Sequence, residues 1–157
     1  MSIYSKEKMK QIRGGERKTA KNTSTSNLAG EFLVAGELSR RGYLVSITLG
    51  KAKAIDIFAN TQEGKTIKID VKASSYKTSW PIAKADKNLH YIFVYLQAED
   101  KLRTESKAGT NTPPEYYIVP GKDIIEKALI RPWKSIPGIP YNSLKDYKER
   151  WDILPQP

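Results

Sequence analysis

The sequence predicts a mixed α/β sandwich with a central sheet of about five strands. Three observations point there: a helix-spaced segment closed by glycine, a meander of three strand-like segments after it, and a nearly continuous apolar run further on. Ser26 or Asn27 caps the helix, which runs to about Arg41 and stops at Gly42. "YLVSITL" (43–49) and "AIDIFAN" (54–60) read as strands, and "KTIKIDVKA" (65–73) as a third with clean period-two alternation. "YIFVYLQ" (91–97) is apolar almost throughout, as in a strand buried on both faces. The polar stretch 98–114 reads as a loop, "YYIVP" (116–120) as a short strand and "GKDIIEKAL" (121–129) as a helix. "RPWKSIPGIP" (131–140) reads as a rigid connector into a last helix, on which Leu144, Tyr147 and Trp151 form a docking stripe. Three parts follow: a basic arm over 1–25, an α/β core over 26–130, and a connector with C-terminal helix over 131–157 packed on that core.

The 157 residues include no cysteine, which excludes a disulfide framework, a zinc ribbon and thiol catalysis and fits a reducing cytoplasm. No apolar run approaches the ~20 residues that span a bilayer, so a soluble cytoplasmic protein with no membrane partner is expected. Lys and Arg number 27 against 17 Asp and Glu, a net charge of +10. A surplus of that size on a small domain favours a polyanionic partner, nucleic acid above all. Half of it lies in the first 25 residues, where Lys6, Lys8, Lys10, Arg13, Arg17, Lys18 and Lys21 face only Glu7 and Glu16. This leader reads either as a phosphate-contacting arm or as a solvated tail.

Ala59 through Thr66 nearly matches a phosphate-cradling loop, with Gly64-Lys65-Thr66 at its end. Such a loop must lead into a helix, whose N-terminus holds the phosphates. Residues 67–72 alternate apolar and polar instead, so "TQEG" is a hairpin turn and the match is accidental.

In the same strand Lys68, Asp70 and Lys72 point away from Ile67, Ile69 and Val71. A spacing of two sets Asp70 and Lys72 on one face, roughly 6.5–7 Å apart at Cα. Asp56 sits among Ala54, Ile55, Ile57 and Phe58 on the neighbouring strand, where a buried unpaired charge is not tolerated. Winding residues 28–41 at about 100° per residue places Leu28, Phe32, Val34, Ala35 and Leu38 on one arc with Glu31 inside it, and Glu37 on the solvent side. Three acids aimed at one interior region repel unless protonated or bridged by a cation, and Mg²⁺ (or Mn²⁺) suits carboxylate oxygens. Histidine ligation is not on offer, because His90 is the only one. The alternative is that Asp56 or Glu31 pairs with Lys72, Lys68 or Lys51 as buried ion pairs.

These residues resemble the PD-(D/E)xK nuclease superfamily, the restriction-endonuclease-like fold that includes Holliday-junction resolvases. The resemblance covers about residues 27–97. Asp56 matches the first acid, Asp70 the second, Lys72 the lysine two residues on, and Glu31 the helix glutamate seen in many members. Ser74 and Ser75 lie where resolvase-like members often carry polar residues. Two positions depart: Ile55 replaces the nominal proline, and Asp70 takes the less common option. The resemblance implies a restriction-endonuclease-like sandwich in which Asp56, Asp70, Glu31 and the Val71 carbonyl hold one or two Mg²⁺ ions. Lys72 then orients the attacking water and stabilises charge. Lys51, Lys53, Arg13, Arg17, Lys18, Ser74 and Ser75 are the expected nucleic-acid contacts.

Other residues read as structural. His90 packs or hydrogen-bonds at a strand start, and Trp133 beside Arg131 anchors the connector. Tyr76 and Trp80 serve core packing in preference to base stacking, and for Lys51 and Lys53 the alternative is a solvated turn. The expected activity is metal-dependent hydrolysis of DNA, with a homodimer favoured if both strands are cut. A catalytically inactive nucleic-acid-binding module with the same fold is the alternative. A small-molecule enzyme with Lys72 paired to Asp70 explains neither the charge nor Glu31.

Overall fold

The computed structural model describes residues 25–50, 54–75, 77–97, 112–132 and 136–157. The basic arm with Arg13, Arg17 and Lys18, the residues Lys51, Lys53, Tyr76 and Trp133, and the loop to residue 111 lie outside them. Helix α1 covers residues 25–40 and turns off at Gly42. The strands are β1 (Leu44–Ile47), β2 (Ile57–Asn60), β3 (Thr66–Ser74), β4 (Ser79–Pro81), β5 (His90–Tyr95), β6 (Glu115–Pro120) and β7 (Gly138–Pro140), with a short helix α2 (Gly121–Glu126) after β6. The protein is α/β, and five strands form one mixed sheet in the order β1-β2-β3-β5-β6. Pairing is antiparallel except between β3 and β5, which run parallel.

Thr66 opens β3, so Gly64-Lys65-Thr66 leads into a strand and not a helix. The turn before it closes through Gly64 N–H to Thr61 O at 3.0 Å, with Gly64 at φ +84°. A φ of that sign is open to glycine at no steric cost. β3 then alternates: Ile67, Ile69 and Val71 are buried while Lys68 is exposed.

Two cores lie on the two sides of the sheet. The first joins Val34, Ala35 and Leu38 of α1 to Ile57, Ala59, Ile67, Ile69, Val71, Ile92, Val94 and Ile118, with Trp151 and Leu154 from the C-terminus. The second joins Tyr91, Phe93, Tyr95, Tyr117 and Val119 to Trp80, Ile82, Ile124, Ile139, Leu144 and Tyr147. β5 feeds both, which is why its sequence is apolar at every position from Tyr91 on. Trp80 packs in the core as expected, 5.4 Å from Phe93 between ring centroids, with its indole N–H on Val94 O at 3.2 Å. Among the described residues, no helix is long and apolar enough to cross a membrane.

Several expectations need correction. The second strand begins at Ile57, so Asp56 stands just before it. α2 ends at Glu126, and Ala128 at φ +48° turns the chain out of helix three residues before Arg131. The last helix is two 3-10 segments, Tyr141–Tyr147 and Trp151–Ile153, parted by Glu149 at φ +56°. Leu144 and Tyr147 stand three apart, which is one 3-10 turn, and they fill the second core while Trp151 fills the first. The stripe therefore divides between two sides of the sheet. The connector holds β7, which pairs with β4 in a two-stranded sheet that short, Pro-rich sequences do not announce. On α1, Leu28 and Phe32 are exposed at 46% and 55%, because the face laid on the sheet runs through Gly30, Glu31, Val34, Ala35 and Leu38 and leaves them at its side. Glu37 is not freely solvated but is held by Arg40 and Arg41 at 2.6 and 2.9 Å.

Candidate active site

The β2–β3 ladder supplies the frame. Ile57 pairs with Ile69, so one step further along the antiparallel register Asp56 stands beside Asp70. Asp56 N–H still donates to Ile69 O at 3.0 Å, and there the two strands part. Val71 N–H then finds no backbone carbonyl of β2; it donates to Asp56 Oδ2 at 2.7 Å. The carboxylate thus closes the ladder and is set against β3 by that bond. Thr48 holds the same turn of chain from the other side: its N–H donates to Asp56 O at 2.8 Å, and its hydroxyl reaches Ile55 O at 2.6 Å.

Asp70 and Lys72 share the other face of β3 as the alternation required, with Nζ 2.5 Å from Oδ1. Their side chains are 18% and 30% exposed, so the pair is partly withdrawn from water. Across β3 and β5, Asp70 stands beside Tyr91, whose hydroxyl accepts the Asp86 N–H at 2.8 Å. Glu31 is buried, at 7% exposure, on the α1 face with Val34, Ala35 and Leu38. α1 lies directly on β3 here: a Cβ at Gly30 would stand 2.5 Å from Ala73 Cβ. The start of the helix is tied to the end of β3 by Ser26 Oγ and Ser75 Oγ, 3.1 Å apart.

The electrostatics follow from this crowding. Burial pushes the Asp70 carboxyl above the usual carboxylate range, Lys72 opposes it, and the charges of Asp56 and Glu31 raise it further. His90, one step along β5 from Tyr91, is driven below its ordinary value by burial and then by Lys122, and it stands half-buried at the strand start.

The structure therefore brings Asp56, Asp70, Val71 and Lys72 together, with Glu31 close enough to act on Asp70 through its charge. Among the described residues, no three His, Asp or Glu side chains are grouped to hold a metal ion. Asp56 is turned to the β3 backbone and Asp70 to Lys72, so the arrangement present is a carboxylate pair with an amine and not a three-acid cage. Hard oxygen donors in a pair suit Mg²⁺, which is commonly held by one or two carboxylates with waters and substrate phosphate completing its shell. Ser74 and Ser75 close β3 half-buried, and Ser75 faces Ser26.

Two contributors escaped sequence reasoning. Tyr91 faces Asp70 only through the parallel register of β3 and β5, and Thr48 meets Asp56 only because β1 and β2 form a hairpin. The signal for Thr48 was its place just after "YLVSI", where a hydroxyl can cap parting strands.

The fold and site together define an α/β protein with a mixed five-stranded sheet and an acid–acid–lysine cluster where two strands part. No family model, curated protein or solved structure matches the chain.

Proposed function

We propose that the protein is a metal-dependent endonuclease that hydrolyses DNA phosphodiester bonds, of the PD-(D/E)xK kind its sequence resembles. One observation carries the reading: Asp56 and Asp70 adjoin at the point where β2 leaves β3, and the Lys72 ammonium lies 2.5 Å from Asp70. Asp56 and Asp70, with the Val71 carbonyl and the charge of Glu31, are the groups that would hold Mg²⁺ or Mn²⁺. Such an ion, when bound, acidifies a water and offsets charge on the phosphate.

The chain's own residues do the rest. The Thr48 and Val71 bonds hold Asp56 so that it need not be ordered at the moment of reaction. Burial and the charges of Asp56 and Glu31 raise the Asp70 carboxyl, and a bound cation beside it would offset both. Lys72, once Asp70 has another partner, is free to turn its ammonium to a phosphate oxygen or to the attacking water. The net charge of +10 draws a polyanion to the surface, and cutting both strands of a duplex favours two copies acting together.

The test is calorimetric and catalytic. Mn²⁺ titration of the wild type is expected to give binding heat that Asp56→Ala removes. Asp70→Asn is expected to lower Mg²⁺-dependent DNA cutting by roughly 100-fold or more while the thermal transition stays cooperative. Cutting that survives Asp70→Asn, or persists in excess chelator, would remove the proposal. A second reading, a nucleic-acid-binding module without catalysis, is favoured by the lack of a three-acid group among the described residues. It requires salt-sensitive binding with no Mn²⁺ heat.

A further inference from the structure

The second core covers only half of its side of the sheet. Its buried members come from β5 and β6 and from the β4–β7 pair, α2 and the 3-10 segments, and none comes from β1 or β2. On that side β1 presents Leu44 and Ser46, β2 presents Phe58 and Asn60, and β3 presents Thr66 and Lys68. None of the six is buried, and Leu44 is 71% exposed, whereas their neighbours Ile57, Ala59, Ile67 and Ile69 on the α1 side are all buried. Among the described residues, then, three strands form an open floor, and the layer over β5 and β6 rises beside it as a wall. Asp70 and Lys72 are on the strand at the foot of that wall.

The floor has the chemistry of a nucleic-acid contact. Phe58 is half-buried between Ser46 and Lys68, its partners in register on either side. Lys68 is exposed and lies four residues before Lys72 on the same face of β3, roughly 13 Å away at ~3.3 Å per residue. At the other end of the strand Lys77 crosses the rings of Tyr95 and Tyr141 at 5.7 and 5.3 Å. Lys68 and Lys72 thus share one face of β3, Lys77 follows just beyond its end, and one aromatic ring, Phe58, stands beside Lys68 on the floor. A flat ring flanked by Ser46 and Lys68 on an uncovered face suits an unstacked base, and a base inside a duplex has no free face to offer it.

Resting on the nuclease reading, we infer that the open face of β1–β3 is the substrate floor, and that it takes a single-stranded or unpaired segment beside the scissile phosphate. Phe58 stacks on a base and Lys68 contacts the phosphate next to it.

Fluorescence anisotropy in chelating buffer, with one labelled DNA oligonucleotide as single strand and as duplex, tests this. The wild type is expected to bind the single strand at least about tenfold tighter. Phe58→Leu, which keeps an apolar side chain, loses that preference, and Phe58→Trp restores it. Lys68→Gln, at an exposed position, weakens binding to both forms and lowers the salt slope by about one. Equal binding of the two forms by the wild type, or a single-strand preference that persists in Phe58→Leu, overturns the inference. If Asp70-dependent cutting of DNA stands alongside such a result, the nuclease reading survives and only the floor is wrong. A wild type that binds neither form also overturns the inference, while the nuclease reading stands or falls on Asp70-dependent cutting with Mg²⁺.

Discussion

Carboxyl groups at two places in the molecule show how neighbours decide what a side chain does. Asp70 has an ammonium at 2.5 Å and still rises above its ordinary value, because burial and two further acids outweigh Lys72. At Glu115 burial also pushes upward, but the hydroxyls of Tyr117 and Tyr141 at 2.6 and 3.0 Å and the Lys148 ammonium more than offset it, leaving the group below its ordinary 4.5. A depressed carboxyl favours the folded chain above its unfolded value, and that contribution is lost as pH falls through the folded value. Glu115→Gln is therefore expected to be less stable than the wild type at neutral pH, with the gap closing below about pH 4.5. Urea titrations at a series of pH values measure it; a gap that stays constant into acid refutes the assignment. Asp70, Lys72 and the burial of Glu31 were legible from periodicity alone. The pairing of Asp56 with Val71 N–H was not, since it depends on where two strands part.

Among the elements, α1 and β3 set the site jointly. Gly30 lets the helix lie on Ala73, and a methyl group there would stand 2.5 Å from Ala73 Cβ. Gly30→Ala is expected to destabilise by about 1–3 kcal/mol through overpacking, and to lower cutting by shifting Glu31 and the Ser26–Ser75 contact. Chemical denaturation and a cutting assay on the same variant check both; full activity with lowered stability would detach the helix from the site. β3 was read from sequence to within a residue at each end, since one face is buried and alternation is then strict. The C-terminal segment was misread because apolar residues three and four apart fit an α-helix and a 3-10 turn equally well. Glu149 at φ +56° settled it, and its carboxylate receives the Trp151 indole N–H at 2.8 Å.

At the scale of the molecule, two cores share one sheet. Ile92 and Val94 face the first, Phe93 and Tyr95 the second, so neither layer can leave without exposing β5. Unfolding is expected to be a single transition, with the same midpoint by far-UV circular dichroism and by the fluorescence of Trp80 and Trp151, which report the two cores. Separate midpoints would mean that the second layer is an independent unit.

By itself the sequence determined the elements of the sheet, the rejection of a phosphate loop, and the residue types of the site. These follow from spacing along one strand or helix, and local geometry dictates them. Only the tertiary structure decided that Asp56 closes the β2–β3 ladder, that Tyr91 faces Asp70, that Trp80 belongs to a second small sheet, and that half of one sheet face stays open. Each depends on register between segments distant in the chain, where pairing and layer coverage are chosen by the burial of the whole fold and not by any one segment.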